Sequence, residues 1–287
     1  MHSAMEIAVT GGNGRLGGVL IKQLLTAGYS VRSLDRAAPT KPPAPELQRT
    51  GANELRQVHV DLNNLEALTE AVRGCGAIAH LAAFTGPWGQ PPGLVYANNT
   101  LTTYNVLYAA SDLGLRYVSI ASSVNAIGGL GSQHGTFAYF PVDEDHPTFC
   151  EDDYSLSKWV GEQIATSYAR RYPYMTISSL RFHALPDEPP PLQKELETSD
   201  APAARNAWSF TLINEAARAC VLALQASYFG HEVFCISSPR STSAIPSLTL
   251  AKHAYPNVPI RGDLSGHKSF FDCSKADRLL QWRHSAH

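Results

Sequence analysis

Short apolar, β-branched runs alternate with longer amphipathic stretches through the first two-thirds of the chain, and that alternation confines it to a parallel sheet covered by helices. The predicted strands are 6–10, 30–34, 57–60, 77–81, 116–121 and 175–180. Between the first two, Leu16, Val19, Leu20, Leu24 and Leu25 recur at helical spacing, and Gly28 stands just past them as a stop signal. Two proline-rich segments, 39–45 and 186–191, lack the amide donors of regular structure and read as exposed loops. The second falls where the alternation ends. Beyond it the pattern predicts a helix over 212–226, a strand over 232–236 and a last helix near 275–282. No internal repeat of about 20–50 residues is present, which argues against solenoids and propellers.

Composition removes several classes of function. With 44% hydrophobic and 17% charged residues among 287, the chain has the make-up of a globular protein and not of a disordered one. The 23 Lys and Arg against 25 Asp and Glu give a net charge of −2, with no positive field to hold a phosphate backbone, so no nucleic acid is expected. The longest apolar stretches, such as 19–25, are short and broken by Lys22 and Gln23, so no membrane span is expected. The start, MHSAMEIAV, has no basic head and apolar core of a leader, and the expectation is a cytoplasmic protein. Five widely spaced cysteines without a CxxC suit reduced thiols. Eleven histidines without HxxxH spacing, and an acidic run at 143–145 flanked by prolines, give no reason to expect a metal.

Directly after the first strand stands TGGNGRLG, with Gly11, Gly14 and Gly17 in GxxGxxG spacing. Glycine permits the tight turn and lets Asn13, Gly14, Arg15 and Leu16 bring backbone amides to a pyrophosphate at the start of the following helix. Asp35 ends the next strand, 18 residues after Gly17, where an acid binds the adenosine ribose hydroxyls. A carboxylate there repels a 2′-phosphate and favours NAD. The adjoining Arg36 could meet that phosphate and leaves NADP as the alternative.

Further on, Tyr154 and Lys158 in YSLSK lie four apart on one face of a helix that runs to about Arg171. A fixed ammonium stabilises phenolate, so the pair predicts a Tyr154 phenol with a lowered pKa, able to serve as acid or base. The strand 116–121 runs into Ser122 and Ser123 at the carboxyl edge of the sheet, where open α/β folds place ligands. Ser123 is therefore a candidate partner for a substrate hydroxyl or carbonyl.

The ordered set TGGNGRLG, Asp35, VDL at 60–62, HLAA at 80–83, NNTLTTYNVL at 98–107, ASSVNAIG, YSLSK and LRF at 180–182 resembles the extended short-chain dehydrogenase/reductase family, also called the NAD-dependent epimerase/dehydratase family. The resemblance covers residues 6 to about 185. It implies a doubly wound parallel α/β sheet of the Rossmann type over 1–182 carrying the catalytic residues. Residues 183–287 would form a small substrate-binding lobe packed on it, with a chain crossover between the two. It implies that Asp61 and Leu62 flank the adenine, that Leu81, Ala82 and Ala83 line the middle of the cofactor, that Asn99 supports the site from the central helix, and that Ser123, Tyr154 and Lys158 form the catalytic triad. Lys158 would also hold the nicotinamide ribose, and a homodimer would pair two helices.

Where family members that dehydrate nucleotide sugars carry Asp-Glu, this chain has Val124 and Asn125, which argues against dehydration and leaves Asn125 as a substrate contact. Ala184 stands where nucleotide-sugar binders place an asparagine. LRFHALPDEPP followed by Trp208-Ser209 is loosely similar to uronate dehydrogenases, which makes Arg205 a candidate for gripping a carboxylate and His183 a candidate in the substrate pocket. The expected activity is an NAD(P)-dependent oxidoreductase that moves hydride between nicotinamide and a small hydroxyl or carbonyl compound, sugar-derived in the favoured case. The alternatives are a sugar epimerase that oxidises transiently and a non-catalytic NAD(P)-sensing regulator.

Overall fold

The computed structural model describes residues 5–37, 49–50, 53–129, 132–134 and 136–285. Along the chain come β1 (Glu6–Thr10), α1 (Arg15–Thr26), β2 (Ser30–Asp35), β3 (Arg49–Thr50), β4 (Asn53–His59), α2 (Leu65–Val72), β5 (Ala77–His80), α3 (Leu94–Asp112), β6 (Tyr117–Ser123), α4 (Asp153–Arg171), β7 (Thr176–Phe182), α5 (Pro202–Arg205), α6 (Ile213–Ala223), β8 (Gly230–Ile236), α7 (Ser247–Ala254) and α8 (Ser274–Leu280). They build one sheet in the order β3-β4-β2-β1-β5-β6-β7-β8. Seven strands are parallel, and β3 pairs antiparallel with β4 at the edge. The predicted doubly wound α/β class is the observed one. The predicted loop 39–45 lies outside the described residues, and 186–191 forms neither helix nor strand.

Burial accounts for the strand pattern. Strand β7 is buried at all seven positions and β5 at all four, as strands covered on both faces must be, whereas β4, beside the two-residue edge strand β3, alternates partly buried and exposed positions over its first half. On one face Leu20, Leu24 and Leu25 of α1 meet Ala216, Ala217, Cys220 and Ala223 of α6, whose small side chains let the helix come close. Trp282 closes this layer and its indole N–H donates to the Glu215 carbonyl at 3.1 Å. On the other face Leu68 and Val72 of α2, Val106, Leu107 and Ala110 of α3, and Ala165 of α4 share a core with Val118 and Ile177.

Two helices deserve explanation because their residues do not advertise them. Helix α3 buries Asn99, Thr102, Thr103 and Asn105 alongside its apolar positions, so it has little amphipathic character. Those polar groups are satisfied: Thr103 donates to the Asn99 carbonyl at 2.8 Å, and Asn105 to the Leu62 carbonyl at 2.8 Å. Helix α4 opens on Asp152, which accepts from the Tyr154 and Ser155 amides at 3.0 and 2.9 Å, and closes on Arg170 and Arg171, the sign its carboxyl end favours.

A third core lies beyond the carboxyl edge of the sheet. Phe137, Phe140 and Val142, from the segment between β6 and α4, pack there with Trp208, Leu250, Tyr255, Phe270 and Phe271. Residues from both sides of position 182 thus share this core, while α6 and β8 return to the sheet.

Candidate active site

Strand order reverses around β1, with β2 on one side and β5 on the other, which opens a crevice at the carboxyl ends of these strands. A cavity of about 640 Å³ occupies it. Its floor is the glycine turn. Gly11 has φ +70°, and a Cβ there would stand 2.8 Å from the Ala82 amide nitrogen; a Cβ on Gly17 would stand 2.3 Å from the Gly11 carbonyl oxygen. Neither position accepts a side chain. Helix α1 follows Gly14, which supplies no side-chain cap, so the first-turn amides of Arg15, Leu16 and Gly17 keep their donors for an anion. An open N-terminus beneath a turn that only glycine can make fits a pyrophosphate.

The ribose side is equally defined. Asp35 accepts from the Asn13 amide at 3.2 Å and the Ala37 amide at 3.0 Å, which aims the carboxylate at the turn. Arg36 reaches across to Phe84, its guanidinium 5.2 Å from the ring centroid, rather than toward Asp35. Asp61 accepts from the Asn63 backbone and side-chain N–H groups, both at 3.0 Å, and these bonds hold its carboxyl below the usual carboxylate range. Arg15 pairs with Asp187 at 3.0 Å, joining the glycine turn to the proline-rich loop, with both side chains exposed.

At the other end the cavity wall contains Ser123, Tyr154, Lys158, Phe182 and His183. Ser123 ends β6 and its hydroxyl accepts from the Asn125 amide at 3.1 Å. Lys158 donates to the Ala121 carbonyl at 2.8 Å, and its ammonium lies 5.6 Å from the Tyr154 ring centroid. Burial moves both groups toward neutrality. The Lys158 pKa falls to about 8, with Glu162 opposing the fall. The Tyr154 phenol is raised by burial, and its hydrogen bond with Ser123 offsets only part of that. The lowered phenol expected from the YSLSK pattern is thus absent in the free protein: desolvation, joined by the Asp152 charge, outweighs the Ser123 hydrogen bond.

Most residues singled out in the sequence meet in this one cavity: Gly11, Gly14, Arg15, Leu16, Gly17, Asp35, Arg36, Asp61, Leu62, Leu81, Ala82, Ala83, Ser123, Tyr154, Lys158 and His183 all line it. Four do not. Asn13 acts from behind through Asp35 and donates to the Ala37 carbonyl at 2.7 Å. Asn99 is buried under the wall, where it accepts from the Phe84 amide at 2.9 Å and donates to Ser157 Oγ at 3.1 Å. Asn125 lies in the turn after β6 and contributes its amide to Ser123. Arg205 faces elsewhere, donating to the Ser132 carbonyl at 2.7 Å with Asp200 at 3.7 Å, so the structure does not supply it as a carboxylate grip in this wall.

The structure also adds residues that the sequence reading passed over. His80 is fully buried between Thr10 Oγ1 at 2.8 Å and Thr103 Oγ1 at 3.3 Å, and its pKa drops to about 3 by burial and by the Lys158 charge. A neutral imidazole therefore sits beneath the cavity, while Thr10 Oγ1 accepts from the Leu81 and Ala82 amides and shapes the wall. Both residues stand inside motifs already noted, TGG and HLAA, but only the fold makes them partners. Glu162 forms a buried pair with Arg181 at 2.8 and 3.0 Å and accepts from Ser122 Oγ at 2.6 Å.

Solved structures share this architecture. A mutated uronate dehydrogenase superposes with a TM-score of 0.68 at 20% identity, covering 98% of this chain and 82% of that one. UDP-glucose 4-epimerase from Bifidobacterium longum, in complex with NAD+ and UDP, gives 0.71 at 18% identity over 99% and 94%. At that identity the likeness establishes the fold. Among sequences, a putative dihydroflavonol 4-reductase of Synechocystis sp. is 33% identical over 166 residues, 57% of this chain and 45% of that protein. Cinnamoyl-CoA reductase 1 of Petunia hybrida is 30% identical over 173 residues, 58% and 51% respectively. The matches thus span about half the length of these curated relatives. Residues 7–185, which hold the glycine turn, Asp35, Ser123, Tyr154 and Lys158, match the model of the NAD-dependent epimerase/dehydratase family, and the chain belongs to that family.

Proposed function

We propose that the chain is an NAD-dependent oxidoreductase acting on a small hydroxyl or carbonyl compound, sugar-derived in the simplest case, with Tyr154 as acid and base. The observation that carries this reading is the convergence of Ser123, Tyr154 and Lys158 on the wall of the cavity whose other end is the glycine turn and Asp35. The turn and the α1 amides would hold the pyrophosphate, Asp35 the adenosine ribose, Asp61 and Leu62 the adenine side, and Lys158 the nicotinamide ribose. When bound, the nicotinamide supplies the hydride acceptor or donor. Ser123 orients the substrate oxygen, and Tyr154 takes the hydroxyl proton during oxidation or returns it during reduction. Burial opposes the phenolate and the Ser123 hydrogen bond favours it, so a positive charge entering the cavity beside Tyr154 would bring the raised phenol down.

Arg36 already stacks on Phe84 and Asp35 faces the turn, which supports NAD over NADP. A homodimer through α3 and α4 belongs to the same proposal. Leu101, Tyr104 and Tyr108 are exposed at i, i+3 and i+7 on one face of α3, and Tyr104 meets Tyr168 of α4 edge-on at 5.7 Å.

Tyr154→Phe tests the chemistry. Turnover of sugar acids, free sugars and small ketones is followed by nicotinamide absorbance, and cofactor affinity by fluorescence. The expected loss is about 10²–10⁴-fold in kcat with cofactor affinity unchanged. A Tyr154→Phe enzyme with full activity removes the proposed base, and activity without net NADH accumulation favours the epimerase.

A further inference from the structure

His183 follows β7 directly, one residue past Phe182, whose register partner on β6 is Ser123. Neighbouring strands run about 4.8 Å apart, so His183 stands beside the proposed reaction centre. It lines the cavity and is nonetheless 6% exposed. The residue is held by three contacts. Phe271 packs edge-on at 4.4 Å between centroids, the backbone amide donates to Thr211 Oγ1 at 3.2 Å, and Nδ1 lies 3.3 Å from Asn206 Oδ1. The other ring nitrogen, Nε2, is buried with no hydrogen-bond partner among the described residues.

Which ring nitrogen carries the proton follows from Asn206. Its side-chain NH₂ donates to the Ser209 carbonyl at 2.8 Å, which turns Oδ1 toward His183. An amide oxygen only accepts, so Nδ1 holds the hydrogen and Nε2 presents a bare lone pair. Burial drives the His183 pKa down to about 3, which favours the neutral ring and agrees with Nε2 as an acceptor. A buried acceptor without a partner is costly, and the cavity is where its partner can arrive.

We propose that His183 Nε2 receives a hydrogen bond from a substrate hydroxyl other than the reacting one, so that the site selects compounds carrying a second hydroxyl close to the reacting carbon and disfavours those with a carbonyl or carboxylate oxygen at that place. This rests on the oxidoreductase reading and narrows its substrate class to polyhydroxylated compounds. An oxygen without hydrogen would face the lone pair acceptor to acceptor, and an analogue lacking the hydroxyl would leave Nε2 dry and unpaired. Sites built around such a bond discriminate strongly against the analogue that lacks it.

The test has two arms. In the first, ¹⁵N spectra of the histidine-labelled protein, assigned with His183→Phe, read the tautomer with and without NAD. Nε2 is expected bare from pH 5 to 8, and to shift when D-galacturonate is added to the NAD complex but not when cyclohexanone is added. In the second, kcat/KM for D-galacturonate and for cyclohexanone is compared between wild type and His183→Phe, which keeps a ring against Phe271, with His183→Asn as a polar control should Phe perturb folding. The expected result is a loss of roughly tenfold or more on the hydroxylated probe, about no change on cyclohexanone, and unchanged NAD affinity. A protonated Nε2, an Nε2 signal indifferent to the hydroxylated probe, or equal losses on both probes overturns the assignment. Absence of turnover on every probe refutes the oxidoreductase reading alone, because the ligand-induced Nε2 shift still decides for or against His183.

Discussion

At the scale of single residues, Lys158 shows how the site trades stability for chemistry. Its pKa is about 8 in the folded protein against 10.5 for an ordinary lysine, because burial penalises the charge more than Glu162 rewards it. Below pH 8 both folded and unfolded chains carry the proton, and the folded state bears the whole desolvation cost. Between pH 8 and 10.5 the unfolded chain binds more protons than the folded one, so this group makes stability rise with pH. Lys158→Met removes the charge at similar length and is expected to stabilise the protein at pH 7 by on the order of 1–2 kcal/mol while turnover collapses. The gain should vanish near pH 10.5, where the native lysine is itself neutral. Thermal melts of both proteins at pH 7 and 10.5 check this, and a lower Tm for the variant at pH 7 contradicts it. The residue types of the site were legible because strand ends and helix starts announce themselves through glycine, serine and the four-residue Tyr-Lys spacing. Their protonation was not, since a pKa depends on burial that no local pattern contains.

At the scale of elements, the same divide separates what a segment says about itself from what its neighbours impose. The strand ends came within a few residues of prediction, and β4 was the largest departure, starting at Asn53 rather than 57 because the polar residues Asn53 and Glu54 are drawn into the sheet by pairing with the short edge strand β3. The link between α4 and β7 was invisible for another reason. Glu162 reads as one more polar helix position and Arg181 as part of a strand, yet both are buried and paired, each less than a tenth exposed. Such a pair adds little net stability over an apolar substitute but is costly to break from one side. Arg181→Met should therefore cost about 3–5 kcal/mol by leaving Glu162 charged and buried, and Glu162→Met a comparable amount. The double substitution should recover most of the loss, leaving Ser122 Oγ as the one stranded partner. Urea denaturation of the three variants gives the coupling directly; additive losses would mean that the two side chains do not act as a pair.

At the scale of the whole molecule, the chain beyond residue 182 was the part least readable in advance, because its core is assembled from separated pieces: Phe137 and Phe140, Trp208, and Phe270 and Phe271 pack as one aromatic group. Periodicity describes a segment, and such a core belongs to no segment. Near the outer surface, Tyr104 and Tyr108 of α3, the buried Tyr168 of α4, and Tyr172 and Tyr174 just past that helix form a connected row of rings. In a monomer, Tyr104 and Tyr108 at 44% and 40% exposure leave a large part of their rings in water. Placed against the same face of a second copy, they would form the apolar centre of a two-fold interface, in which each helix pair buries its partner. A stable interface needs about 800 Å² from each partner, within reach of two helices of nineteen residues each. The double variant Tyr104→Glu/Tyr108→Glu sets carboxylates opposite one another in that centre, where desolvation and like charge both oppose association. Since both positions are exposed in the single chain, the change should cost the protomer little, on the order of 0.5 kcal/mol each. Sedimentation velocity is expected to give a dimer for the wild type and a monomer of unchanged melting cooperativity for the variant. A wild type that sediments as a monomer at tens of micromolar removes the homodimer, and a variant that stays dimeric moves the interface to another face.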